Sequence, residues 1–222
     1  GDMDSETLDR PRLLYFADTM CSWCYGFAPE MNKVLESFRD ELDMLTFSGG
    51  LRPFNTEPMK DELRQTLGAT YAKIGQLTGQ SFGACPSLEP GFIYDSEPAS
   101  RAVVTMRHMA PGDDYPFMLA IQQAFYAEGE DITQPAVLAR HAAAFGVPEE
   151  VFLETFGSEG IRQATLADFQ VAQQFGIDGF PTLILHRQRS TGDNALLMVS
   201  QGYAKAEDVV EQLRAALETE IG

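Results

Sequence analysis

Hydrophobic and polar positions fall into two rhythms along this chain, and the changes between them outline a fold. Residues 12–17, RLLYFA, form a short apolar run suited to a buried strand, followed by Asp18 and Thr19 as turn or capping residues. From Cys21 to about residue 39, Phe27, Met31, Val34, Leu35 and Phe38 recur at helical spacing. Pro29 lies inside this helix, where it removes one backbone donor and predicts a kink. Residues 43–51, DMLTFSGGL, read as a second strand closing on Gly49 and Gly50.

Helical spacing then dominates from about 58 to 176. Candidate helices cover 58–77, 97–109, 115–128, 135–145, 148–156 and 160–175, each bounded by Pro, Gly or Asp-type stops. The stretch 78–96 is irregular and reads as a long loop of the kind that often carries function. Strand character returns at 182–186 and 195–200, on either side of a polar turn through Gly192 and Asn194, and a last helix is expected over 205–220. Residues 1–11 read as a frayed tail. The order is β-α-β, a block of helices, then α-β-β-α, with no internal repeat. Helix-separated strands imply parallel pairing, and the short 187–194 connection implies an antiparallel hairpin.

Composition narrows the function classes. The chain has 222 residues, 44% hydrophobic and 10% aromatic, enough for a core without covalent staples. Its net charge of -17 argues against nucleic acid or an anionic membrane surface as partner, since both need a basic face. No run of 18 apolar residues exists, so no transmembrane span is expected. The start, GDMDSETLDRPR, is polar and acidic, unlike a secretory signal. Three cysteines make no disulfide scaffold, and a sequence without a secretory signal reads as cytoplasmic, where a reducing poise keeps thiols free.

Two of those cysteines stand close together, in Cys21-Ser22-Trp23-Cys24 at the expected strand-to-helix junction. They are a redox pair, half of a metal site or a local staple. Structural zinc wants four ligands, and Cys85, His108, His141 and His186 are isolated, so no metal and no other cofactor is expected. At a helix start, unpaired amide donors and the dipole favour a negative sulfur on Cys21, and the thiolate is the nucleophile. The acidic chain opposes this, but surface charge is screened over about 8–10 Å. Cys24 follows one turn later, within reach of a disulfide, which makes Cys21 the attacking sulfur and Cys24 the resolving one. Ser22 can donate to sulfur. Trp23 is either a contact for an apolar substrate or packing against the helical block. Met20 forms an apolar rim or fills the core. Asp18 caps the helix or relays a proton, the cap being favoured. Cys85 is a small buried hydrophobe or a third thiol.

A second motif, FGIDGFPTLIL over 175–185, places Pro181 at the first position of a strand, where its missing donor does no harm. A cis Phe180–Pro181 bond would set that loop against the first helix start. With CSWC at a helix head, Pro29 five residues on and GFPT before a late strand, the chain resembles the thioredoxin superfamily. The helical block resembles its DsbA-like branch, and CSWCYG with DSEPASRA (95–102) is most similar to the FrnE-type subgroup. The resemblance implies an α/β thioredoxin fold, a mixed central sheet flanked by helices, with a large all-helical insertion. It divides the chain into a thioredoxin-like domain over 12–57 and 160–220 and an insertion over 58–159. It implies catalytic roles for Cys21, Cys24 and Pro181, and substrate contacts by Trp23, Met20, Phe180 and Thr182. In the family the cis-proline loop pairs its backbone with an extended substrate segment. Protein or small-molecule thiols and disulfides, glutathione among them, are the implied partners. Ser-Trp between the cysteines differs from the Pro-His of DsbA and the Gly-Pro of thioredoxin. The potential therefore does not transfer within a family range of about -270 to -120 mV. The alternatives are a glutathione-dependent isomerase or transferase on the same fold, and a chaperone-like binding module.

Overall fold

In the computed structural model, which describes residues 10–189 and 191–218, the early apolar run becomes the middle of a sheet. Strand β1 (Arg12–Ala17) is buried from Leu13 onward, as a run without polar alternation requires. Helix α1 spans Ser22–Ser37, and β2 (Asp43–Ser48) runs parallel to β1. Helix α2 (Asp61–Thr78) and a short 3-10 turn at Pro86–Leu88 precede α3 (Glu97–Met109), α4 (Asp114–Tyr126), α5 (Pro135–Ala143), α6 (Glu149–Phe156) and α7 (Glu159–Gln174). Strands β3 (Thr182–Gln188) and β4 (Asn194–Gln201) and helix α8 (Ala206–Glu218) complete the fold. The sheet order is β2-β1-β3-β4, with β3 antiparallel to both neighbours. This is the thioredoxin-like fold with a helical insertion that the resemblance implied.

Element ends differ from the sequence reading by a few residues. β2 stops at Ser48, before the two glycines. α2 begins three residues later than expected, with Lys60 still extended. Residues 1–9 of the expected tail, residue 190 of the hairpin turn and residues 219–220 of the last helix lie outside the described residues. Arg10 pairs with Asp43 at 3.4 Å, and the Asp43 amide donates to the Pro11 carbonyl.

Two apolar clusters sandwich the sheet. The larger joins Leu13, Tyr15, Leu183 and Leu185 to α1, α8 and the helical block; the smaller joins Leu14, Phe16 and Ile184 to Ala172 of α7. α1 runs unbroken through Pro29. Proline supplies no amide for the Tyr25 carbonyl one turn back, and the Gln80 side-chain amide donates to that carbonyl at 2.9 Å instead. α1 also meets α2 closely: a Cβ at Gly26 would lie 2.6 Å from the Ile74 side chain.

Candidate active site

Cys21 is the N-cap of α1, in extended conformation (φ -88°, ψ 117°), so its sulfur stands where the first helical amides are unpaired. Its carbonyl accepts from the amides of Cys24 and Tyr25, which turns the chain into the helix and brings Cys24 back beside it. Both are free thiols within side-chain hydrogen-bonding reach of one another. Exposure separates their roles: Cys21 keeps 7% of its surface and Cys24 none. A dissolved disulfide meets only the first.

The Phe180–Pro181 bond is cis, and the loop lies against the helix start as the motif predicted. The Cys21 thiol donates to the Phe180 carbonyl at 3.6 Å. Gly49, beyond the end of β2, makes room for this: a Cβ there would lie 2.1–2.8 Å from three atoms of the Phe180 ring. Gly49 thus gives the Phe180 loop its place, and the carbonyl of that loop meets the Cys21 sulfur.

Asp18 is buried and sets the turn between β1 and α1. Its carboxylate accepts the Met20 amide and the Leu51 amide, each at 2.9 Å. Burial pushes its pKa up to about 6, against those donors, the Ser96 hydroxyl and the Gly50 amide. The helix-cap expectation is corrected: Asp18 ties loops together, and the cap position belongs to Cys21, without a side-chain cap. Cys24 is pushed well above the ordinary thiol range, first by burial, then by its neighbour Cys21, and also by the charge of Asp18. The charge of Asp18 thus adds to the cost of ionising Cys24.

Other expected contacts divide. Trp23 is half-buried; its ring lies 6.0 Å from that of Tyr203, with the Lys73 ammonium 5.8 Å over it. It both packs and shows surface beside the pair. Phe180 is half-buried, with its ring on Gly49. Met20 is a correction: its side chain has no exposed surface and belongs to the core, since the turn held by Asp18 points it inward. Thr182 is another, for it is buried and donates its hydroxyl to the Gly179 carbonyl at 2.8 Å, which shapes the loop from within. Cys85 is buried, with its sulfur 3.0 Å from the Ser87 hydroxyl, and burial raises its pKa to about 11.

Among the described residues no three His, Cys, Asp or Glu side chains gather as a metal site. His141 faces Glu130 and His186 faces Asn194. The sequence reading missed Tyr94 and Tyr126, whose hydroxyls both donate to the Met20 carbonyl, and Tyr15, buried beneath both cysteines. Tyr94 directly precedes DSEPASRA, which offered a pointer. The motif itself works as an anchor: Ser96 holds the backbone of Arg52, and Asp95 accepts the Phe54 amide.

Comparison with known proteins agrees with this geometry. Residues 12–204 match the family model of the DSBA-like thioredoxin domain. A proposed protein disulfide isomerase from Nitrosomonas europaea is 37% identical, with 94% of this chain and 98% of that one covered and a TM-score of 0.85. DsbM of Pseudomonas aeruginosa, a cytosolic disulfide reductase, is 27% identical over 93% of this chain and 98% of its own, with a TM-score of 0.73. Its structure with GSH aligns at 26% identity over 94% and 100%, with a TM-score of 0.72. No curated protein matched.

Proposed function

The chain belongs to the DSBA-like thioredoxin domain family, and on that premise we propose that it is a thiol–disulfide oxidoreductase that reduces or isomerises disulfides through Cys21 and Cys24. The observation that carries this reading is that Cys21, alone of the pair in showing surface, lies at a helix start beside the carbonyl that precedes Pro181. The likeness of CSWCYG and DSEPASRA to the FrnE-type subgroup supports a place for the chain within it.

The Cys21 thiolate attacks one sulfur of the substrate disulfide. That S–S bond breaks, and the other substrate sulfur leaves and takes up a proton. Cys24 then gives its proton to Asp18 and attacks the Cys21 sulfur, releasing the second substrate sulfur. The substrate disulfide gains two electrons and the pair loses two, closing as Cys21–Cys24. Two molecules of glutathione return the pair to thiols and leave as glutathione disulfide. The backbone at Phe180 pairs with the extended substrate segment, and Trp23 supports its apolar side chains. The likeness to a cytosolic reductase with a GSH-bound form supports glutathione as partner and the cytoplasm as location. The glutathione-dependent isomerase or transferase reading has less support, because that chemistry has no use for Cys24.

The test is the equilibrium of the pair in glutathione buffers, read by thiol trapping and Trp23 fluorescence. A reversible two-electron transition is expected, and a midpoint toward the reducing end of the family range, about -270 mV, supports the reductase direction. Cys21→Ser abolishes exchange, and Cys24→Ser accumulates a mixed disulfide. Full exchange activity in Cys21→Ser overturns the reading. Stoichiometric glutathione binding without disulfide formation transfers support to the isomerase or transferase.

A further inference from the structure

The peptide bond that leads into Cys21 is held from an unexpected direction. The Met20 carbonyl accepts the Tyr126 hydroxyl at 2.6 Å and the Tyr94 hydroxyl as well. Tyr126 is the last residue of α4, and Tyr94 lies just ahead of α3, so both donors come from the helical part between β2 and β3. The other side of this peptide is also fixed, for the Cys21 amide donates to the Asp18 carbonyl at 3.0 Å and the Met20 amide to the Asp18 carboxylate.

Both phenols are buried, and burial raises their pKa values well above the ordinary range, so they remain protonated donors at any working pH. Tyr126 is also within hydrogen-bonding reach of Tyr71, whose hydroxyl meets Ser87 at 2.7 Å. A buried carbonyl has two lone pairs, and here both are taken by hydroxyl groups. A bare carbonyl at that place would present a negative oxygen one peptide bond from a sulfur that must carry negative charge.

We propose that Tyr94 and Tyr126 are positioning residues for the redox pair: by holding and neutralising the Met20 carbonyl they favour the thiolate form of Cys21 and so set the thiol–disulfide equilibrium. This rests on the oxidoreductase reading. It gives the helical insertion a direct part in the chemistry. Neither tyrosine touches substrate or sulfur; each acts through the Met20 peptide.

The test uses the full chain carrying Tyr126→Phe or Tyr94→Phe, with Tyr115→Phe as control. Tyr115 is another buried phenol, and its hydroxyl donates to the Asn32 side chain at 2.8 Å rather than to Met20. Loss of one donor disfavours the reduced, thiolate-bearing state. Each of the first two variants is expected to shift the glutathione equilibrium toward the Cys21–Cys24 disulfide by roughly fivefold. Alkylation of Cys21 at neutral pH should slow by a similar factor. Tyr115→Phe should lower Tm and leave both quantities unchanged, and a purely structural role for Tyr94 and Tyr126 would give the same result. The inference is overturned if both variants stay within about twofold of the parent in equilibrium and in alkylation rate, the sensitivity that one hydrogen bond must exceed. If the parent itself forms no disulfide, the oxidoreductase reading fails, and the alkylation rates still decide this one.

Discussion

At the scale of single residues the site is a contest over charge and space. Asp18 illustrates charge. Its folded pKa, about 6, lies above the ordinary carboxylate value, so the folded state binds its proton more tightly than the unfolded chain. The associated stability is fully present below the unfolded pKa, near 4, and is lost as pH rises through about 6. Asp18→Asn removes this dependence. Measured by urea unfolding of the reduced protein, the difference in stability between variant and parent should move in the variant's favour by about 2–3 kcal/mol between pH 4 and pH 7. A pH-independent difference would show that the carboxylate is not held at raised pKa. Gly49 illustrates space. Gly49→Ala drives a methyl into the Phe180 ring and displaces the carbonyl beside Cys21. Stopped-flow exchange is expected to slow by roughly tenfold or more, since small misplacements near reacting atoms are expensive. An unchanged rate would mean that the Phe180 loop does not govern the sulfur. The positions of the cysteines, Pro181 and Phe180 were legible in the sequence because each belongs to a short local motif at an element end. Met20 was misread, because a residue next to a reactive group tells nothing of which way the turn points it.

At the scale of elements, one joint matters most. Asp168 of α7 accepts both terminal nitrogens of Arg107 from α3, at 2.9 and 3.0 Å, and the amide of Ser48 at the end of β2 at 3.0 Å. Arg107 also donates to the Thr46 carbonyl. The joint therefore locks the strand end that leads into Gly49 and Gly50. Asp168→Ala leaves a partly buried guanidinium and a buried amide unpaired, and should lower stability by about 2–3 kcal/mol in denaturant unfolding. Asp168→Asn, which keeps an acceptor for Ser48, should lose less. Equal losses would place the whole effect in the ion pair. Helices and strands were legible at this scale because their apolar periods differ. The joint was not, since a lone Asp and a lone Arg, far apart in sequence, give no periodic signal. Pro29 was expected to kink the helix rather than end it, and the helix does continue through it, with Gln80 satisfying the Tyr25 carbonyl that proline leaves without a donor.

At the scale of the whole molecule, the parallel β1–β2 pair and the β3–β4 hairpin were legible, because connection length restricts strand direction. The inward reach of the helical insertion was not, for nothing in the spacing of Tyr94 and Tyr126 says that their hydroxyls end on the peptide before Cys21. The sheet order carries a last consequence, for synthesis. β1 sits in the middle, yet its partner β3 is made only after the helical insertion has left the ribosome; Phe16 pairs with Thr182 across most of the chain's length. Until β3 arrives, the growing chain has an open, apolar strand edge at Leu13–Ala17 and a thiol pair without the Phe180 loop. A chain ending at residue 176 should therefore aggregate at micromolar concentration and react with thiol reagents at Cys21 and Cys24 faster than the complete protein, as light scattering and timed alkylation would register. The nascent protein is thus vulnerable to oxidation and to its own neighbours, and arrival of the late hairpin ends both hazards in one event.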